Sequence, residues 1–136
     1  MKTTNEKIAL LRQAMQAAGA NACLIPSSDP HARSYFSGFT GSVGTLVVTE
    51  SASALWADGR YFIQAGRQLA GSEVQLQRIG VEGVPTVEEY LAAALSEGQV
   101  LALDGMVTPT ATVQSLQKAL DAKGAVIKSV DLVEGN

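Results

Sequence analysis

A chain of 136 residues, 46% hydrophobic and 17% charged, carries enough apolar surface for one real core and predicts a single globular unit over residues 1–136. A formal charge of −3 with Lys and Arg scattered leaves no basic stripe, which excludes a phosphate-backbone reader and makes nucleic acid an unexpected partner. No segment approaches the ~18 apolar residues of a membrane span and the N-terminus lacks the apolar run of a secretion signal. The lone Cys23 cannot form an intrachain disulfide, so the expectation is a cytoplasmic protein with no membrane partner.

From Asn5 to Ala18, Ile8, Leu11, Met15 and Ala18 recur at helical spacing and Gly19 is placed to end the helix. Ala22 to Pro26 reads as a buried strand, and PSSDP after it as a loop whose prolines oppose helix. GTLVVT (44–49) and ALWA (54–57), separated by ESAS, predict an antiparallel hairpin. Asp58 and Gly59 then open a helix through Arg60 to Leu69, with Tyr61, Phe62 or Ile63, and Ala65 on its apolar side.

Val74 and Leu76, alternating with Gln75 and Gln77, predict a half-exposed strand near a sheet edge. Thr86 with Glu89 is a capping box, and Val87, Tyr90, Leu91, Ala94 and Leu95 form the buried stripe of a helix ending at Gly98. Val100 to Leu103 reads as a buried strand. Thr108-Pro109 reads as N-cap and first residue of a helix carrying Val113, Leu116 and Leu120 to Gly124. A last strand, Ala125 to Val130, precedes DLVEGN, and a stop there looks like a cut at a domain boundary. Helices interleaved with strands, one hairpin inserted, predict an α/β fold with a mixed sheet covered by helices.

The stretch FSGFTGSVGTLVVT places glycines at 38, 41 and 44 before a strand. Phosphate cradles need the opposite order, strand, then glycines, then helix, so these glycines read as positive-φ or close-approach positions. One histidine, His31, is too little for a metal centre with Asp29 or for a serine triad. Asp58 and Arg60 could form an exposed ion pair or a helix cap, and Trp56 reads as packing. These residues alone predict no active site.

The run SGFTGSVGTLVVT followed by ALWADGRYFIQA closely resembles the N-terminal domain of Xaa-Pro aminopeptidases, in the creatinase and prolidase group. The likeness extends upstream to IPSSDPH and downstream through GVPTVEEYL to Asp104. It implies a mixed sheet of about six strands flanked by helices, with a ribonuclease-H-like motif. It also implies a longer parent whose second domain and C-terminal catalytic domain of pita-bread fold lie outside these residues. That catalytic domain would hold two divalent metals, usually manganese, and remove the N-terminal residue from peptides with proline second. The 136-residue chain alone would be inactive, with no cofactor of its own; it would frame the active-site cleft and support a homodimer of the parent.

The same resemblance points to Phe39, Thr40, Gly41 and Ser42, together with Asp58, Arg60, Tyr61 and His31, as cleft or interface residues. Relatives usually carry a longer segment where this chain has only Ala32–Phe36, ARSYF. Two other readings are a stand-alone module of the same fold that binds peptides or a partner, and a nucleic-acid enzyme. For the latter, Asp58 and Asp104 are too few metal ligands.

Overall fold

The computed structural model describes residues 2–130. Thr3 caps α1 (Thr4–Ala17) through a capping box with Glu6, and the helix buries Ile8, Leu11 and Met15. β1 (Ala22–Ile25) is followed by α2 (Pro30–Ser37), the antiparallel pair β2 (Thr45–Thr49) and β3 (Ser53–Ala57), and a single 3-10 turn, Gly59–Tyr61. Then come α3 (Phe62–Leu69), β4 (Gln75–Arg78), α4 (Val87–Ala94), β5 (Val100–Leu103), α5 (Thr110–Asp121) and β6 (Val126–Ser129).

One mixed sheet of six strands runs in the order β4-β3-β2-β1-β5-β6. β1 pairs antiparallel with β2 and parallel with β5; β3–β4 and β5–β6 are also parallel, so β2 alone runs against the other five. Strand period two divides the core. Cys23 and Ile25 face a cluster with Ile8, Leu11, Phe36, Phe39 and Leu69, under α1, α2 and α3. Ala22 and Leu24 face a second cluster with Trp56, Leu91, Leu116 and Leu120, under α4 and α5. Trp56 is locked there by its indole N–H, which donates to the Pro85 carbonyl at 2.9 Å, and by edge-on contact with Tyr90.

Four sequence expectations fail locally. PSSDP does not oppose a helix: the Asp29 side chain accepts from the Ala32 N–H and Pro30 occupies the first turn, so α2 includes the ARSYF segment. The helix expected from Asp58 begins as a 3-10 turn, and of the two alternatives for its apolar side Phe62 is half-buried while Ile63 is 74% exposed, with Ala65 and Leu69 buried. Helix α4 ends at Ala94, because Leu95 turns extended three residues before Gly98 is reached. Thr108 does not cap α5; its hydroxyl donates to the Asp104 carbonyl, and Pro109 precedes the helix without a side-chain cap. The segment DLVEGN lies outside the described residues.

An ion pair ties the first helix to the approach of β4. Arg12 forks onto Glu73 at 2.6 and 3.1 Å and donates from Nε to the Thr49 carbonyl, while Ser53 also donates to Glu73. These bonds, Arg12 foremost, hold the Glu73 carboxyl below its ordinary value of 4.5. A depressed carboxylate stabilises the fold above its unfolded pKa, and that contribution disappears as pH falls through the lower folded value. Glu73→Gln therefore costs about 1 kcal/mol at pH 7 in urea unfolding, and the gap to the parent chain closes progressively below pH ~4.5. Cys23, 4% exposed, has its thiol pushed up to about 12 by burial. A disulfide-exchange reagent at pH 8 accordingly labels it only at the rate of unfolding, and a stoichiometric burst on the native chain would contradict the packing.

Candidate functional site

With five strands parallel and β2 reversed, five strand ends and the start of β2 fall along one edge of the sheet. Such carboxyl edges are where open α/β sheets usually place their ligands. Both sequence motifs arrive there, residues 39–44 leading into β2 and residues 58–61 leaving β3.

The loop before β2 is built around the Phe39 ring. Helix α2 stops at Gly38, whose φ of +78° only glycine adopts without strain. The Ser37 hydroxyl bridges the turn, donating to the Arg33 carbonyl and accepting from the Phe39 N–H. Phe39 has no exposed surface. A Cβ on Gly41 would sit 2.3 Å from its Cζ, and one on Gly44 would sit 3.0 Å from its Cε2. The three glycines thus do two jobs: Gly38 reverses the chain, and Gly41 and Gly44 let backbone close over the ring.

Arg33, 1% exposed, clamps this loop from α2. One guanidinium nitrogen donates to the Gly44 carbonyl at 3.2 Å and to Ser27, the other to the Gly41 carbonyl, and the group lies 5.7 Å from the Phe39 centroid. Burial lowers its pKa, and Asp29 opposes that shift. Ser27 completes the seam by accepting from the Gly44 N–H at 3.1 Å.

The second motif locks onto the first. Tyr61 meets Phe39 edge-on at 5.9 Å between centroids and shares a hydroxyl–hydroxyl hydrogen bond with Ser42. On the far side of the loop, Gln68 accepts from the Thr40 N–H and donates to its hydroxyl, with Gln64 donating to the same oxygen. Asp58 caps the 3-10 turn by accepting from the Arg60 N–H at 3.0 Å, and also takes the Arg60 guanidinium at 2.9 Å. That bond lowers the Asp58 pKa and raises that of Arg60. Asp58 is therefore an anion with its partner in place, not a proton carrier.

The residues singled out from the sequence fall into three groups. Phe39 and Gly41 lie inside, where they shape the loop. Thr40, Ser42 and Arg60 are exposed, with Asp58 and Tyr61 half-exposed beside them. His31 stands exposed on the first turn of α2 and takes no part in these contacts. Sequence reasoning missed Arg33, Ser27 and Gln68. Nothing local marks them: Arg33 has Asp29 one turn before it and reads as an ordinary helical ion pair, Gln68 reads as a solvated helix position, and Ser27 as a loop residue.

Among the described residues no group of three or more His, Cys, Asp or Glu could hold a metal ion. No helix among them is long and apolar enough to cross a membrane. The donor set does not fit a dinuclear metal centre, and what this edge offers chemically is hydroxyls, one guanidinium already paired, and fixed backbone.

Residues 7–134 match the family model of the creatinase/prolidase N-terminal domain. A probable Xaa-Pro aminopeptidase P from Arthroderma otae is 37% identical over 138 residues, covering 94% of this chain and 22% of the relative. An X-prolyl aminopeptidase from Caenorhabditis elegans, described as a cytosolic enzyme with a di-nuclear active site, superposes with a TM-score of 0.86 at 29% identity, covering 99% of this chain and 25% of that one. The N-terminal domain of a cytoplasmic peptidase from Mycobacterium tuberculosis H37Rv superposes at 0.75 with 29% identity, covering 96% and 98% of the two chains. The chain spans about a fifth of the length of the curated relatives it matches. A motif pair interlocked around Phe39, a six-stranded sheet with one reversed strand, and a match over nearly every residue lead to one assignment: the chain belongs to the creatinase/prolidase N-terminal domain family.

Proposed function

We propose that this chain is the N-terminal, non-catalytic domain of a longer cytoplasmic metallo-aminopeptidase that removes the N-terminal residue from peptides with proline second. The observation that carries the reading is identity of 37% across 94% of the chain to an aminopeptidase of which it makes up only 22%. The metal ions, manganese in this reading, belong to the remainder of that polypeptide. Here the carboxyl edge frames the substrate cleft and contributes to a homodimer. Thr40, Ser42 and Arg60 are the side chains that reach outward, and the Phe39 seam sets where they stand.

Hydrolysis of an Xaa-Pro peptide by this chain alone and by the polypeptide encoded with any downstream sequence tests the reading. The expected result is activity in the longer protein with added Mn²⁺ and none in the chain alone. Hydrolysis by the isolated chain, or a reading frame that ends near Asn136 with nothing following, would overturn it.

A further inference from the structure

We infer that the open edge of β4 is a docking site for an extended, acidic and apolar polypeptide segment, which adds to the sheet as a seventh strand. β4 is the terminal strand on its side of the sheet, paired only with β3. The Ile79 N–H donates to the Ala57 carbonyl, so by strand alternation the amides of Gln75 and Gln77 also face β3, and those of Leu76 and Arg78 face outward. An outward row of main-chain donors and acceptors is the template for strand addition.

Beside that row lies a groove of 740 Å³. Phe62, Ile63, Gly66 and Ala70 of α3 and its C-terminal flank line it with Val81. Ile63 is 74% exposed and Val81 44% exposed, an apolar pair left open by the described residues. Arg67 and Arg78 also line the groove. Among the described residues neither has a carboxylate within salt-bridge distance, whereas Arg12 and Arg60 both do. In a chain of net charge −3 this is a local cationic strip beside an apolar trough.

The charge selects the occupant. A second copy pairing β4 to β4 across a two-fold would bring both Arg67–Arg78 pairs together, and like charges facing one another oppose that assembly. An extended segment that carries acidic and apolar residues on one face, at i and i+2 with neutral polar residues between them, satisfies all three features at once, because Ile63, Arg67 and Arg78 line the same groove. Its backbone pairs with both main-chain groups of Leu76 and with the Arg78 N–H, the Arg78 carbonyl being taken by the Val81 N–H, while its apolar side chains enter the groove at Ile63 and its carboxylates meet the two guanidinium groups. This surface adjoins the Ser42–Tyr61 edge at Phe62 and Arg78 but is lined by none of the residues assigned to that edge, so its failure would leave the aminopeptidase reading untouched.

The probe is a fluorescein-labelled peptide of sequence Glu-Thr-Ile-Thr-Glu-Thr, whose Glu and Ile side chains share one face of the strand, titrated into the 136-residue chain by fluorescence anisotropy. Its Lys-for-Glu counterpart, and a version N-methylated at alternate amides, serve as comparators. Binding of the acidic peptide is expected to be at least about fivefold tighter than that of either comparator, and to weaken about fivefold in an R67E/R78E double variant. Ile63→Ser weakens it without altering thermal unfolding, because the side chain is already in solvent. Amide shifts and slowed exchange at Leu76 and Arg78 identify the edge directly. Equal affinity for the basic peptide, shifts elsewhere, no binding, or concentration-dependent dimerisation that protects the same amides would each overturn the inference.

Discussion

Gly41→Ala lowers the unfolding free energy by about 3 kcal/mol, measured by urea denaturation, although it adds one methyl group. The new Cβ would stand 2.3 Å from Cζ of Phe39 and 2.9 Å from Cε2, distances no real contact tolerates. Phe39 has no exposed surface to retreat into, and Tyr61 and the Arg33 guanidinium flank its ring. Either the ring leaves its rotamer or residues 40–44 lift off the sheet edge, and both outcomes lose packing. The cost is specific to this approach. Gly66→Ala, inside α3 with nothing within 4 Å of the added methyl, gains up to about 1 kcal/mol from helix propensity. If the clash is the cause, trimming the ring with Phe39→Leu makes Gly41→Ala markedly cheaper than in the parent chain; additive costs would show that the ring is not what the glycine serves.

Arg33→Met costs a further large increment, about 3 kcal/mol, and Arg33→Lys recovers little of it. Methionine fills a comparable volume yet leaves the carbonyls of Gly41 and Gly44 without donors in a buried seam. Lysine keeps a charge but not the planar fork that reaches carbonyls of two different residues at once. The second consequence is local: amide exchange of residues 40–44 accelerates more than that of β1 or β5, because the clamp holds the loop and not the sheet. Uniform acceleration across the sheet would instead place Arg33 in the general core.

Elements whose signals are local were legible in the sequence. The capping box at Thr86, the hydrophobic spacing of α1 and α4, and the β-branched run TLVVT each sit within a few residues of the structure they specify. The miss at α2 has a physical reason: Asp29 and Pro30 are turn formers and also an N-cap and first-turn residue, and only the eight residues after Asp29 decide between them. The choice between Phe62 and Ile63 stays open in the sequence because adjacent apolar residues cannot both face the core; Phe62 takes the half-buried place, with Ala65 and Leu69 buried below it. The site was half legible. Its two glycine-bearing motifs stand out in the sequence, but the clamp that joins them depends on Arg33 meeting carbonyls eight and eleven residues away, and Gln68 meeting Thr40 across 28. Nothing in local spacing encodes such meetings.

The central position of β1 also sets a timetable for synthesis. Its partner β2 follows within one helix, but β5, its neighbour on the other side, ends at Leu103, some 46 residues after β3 closes at Ala57. At about 5–20 residues per second, a ribosome leaves the nascent chain for roughly 2–9 s with Ala-Cys-Leu-Ile paired on one side only. That interval exposes an apolar strand edge, and it makes slow translation between Asp58 and Gln99 the step at which mispairing with other nascent chains competes with folding.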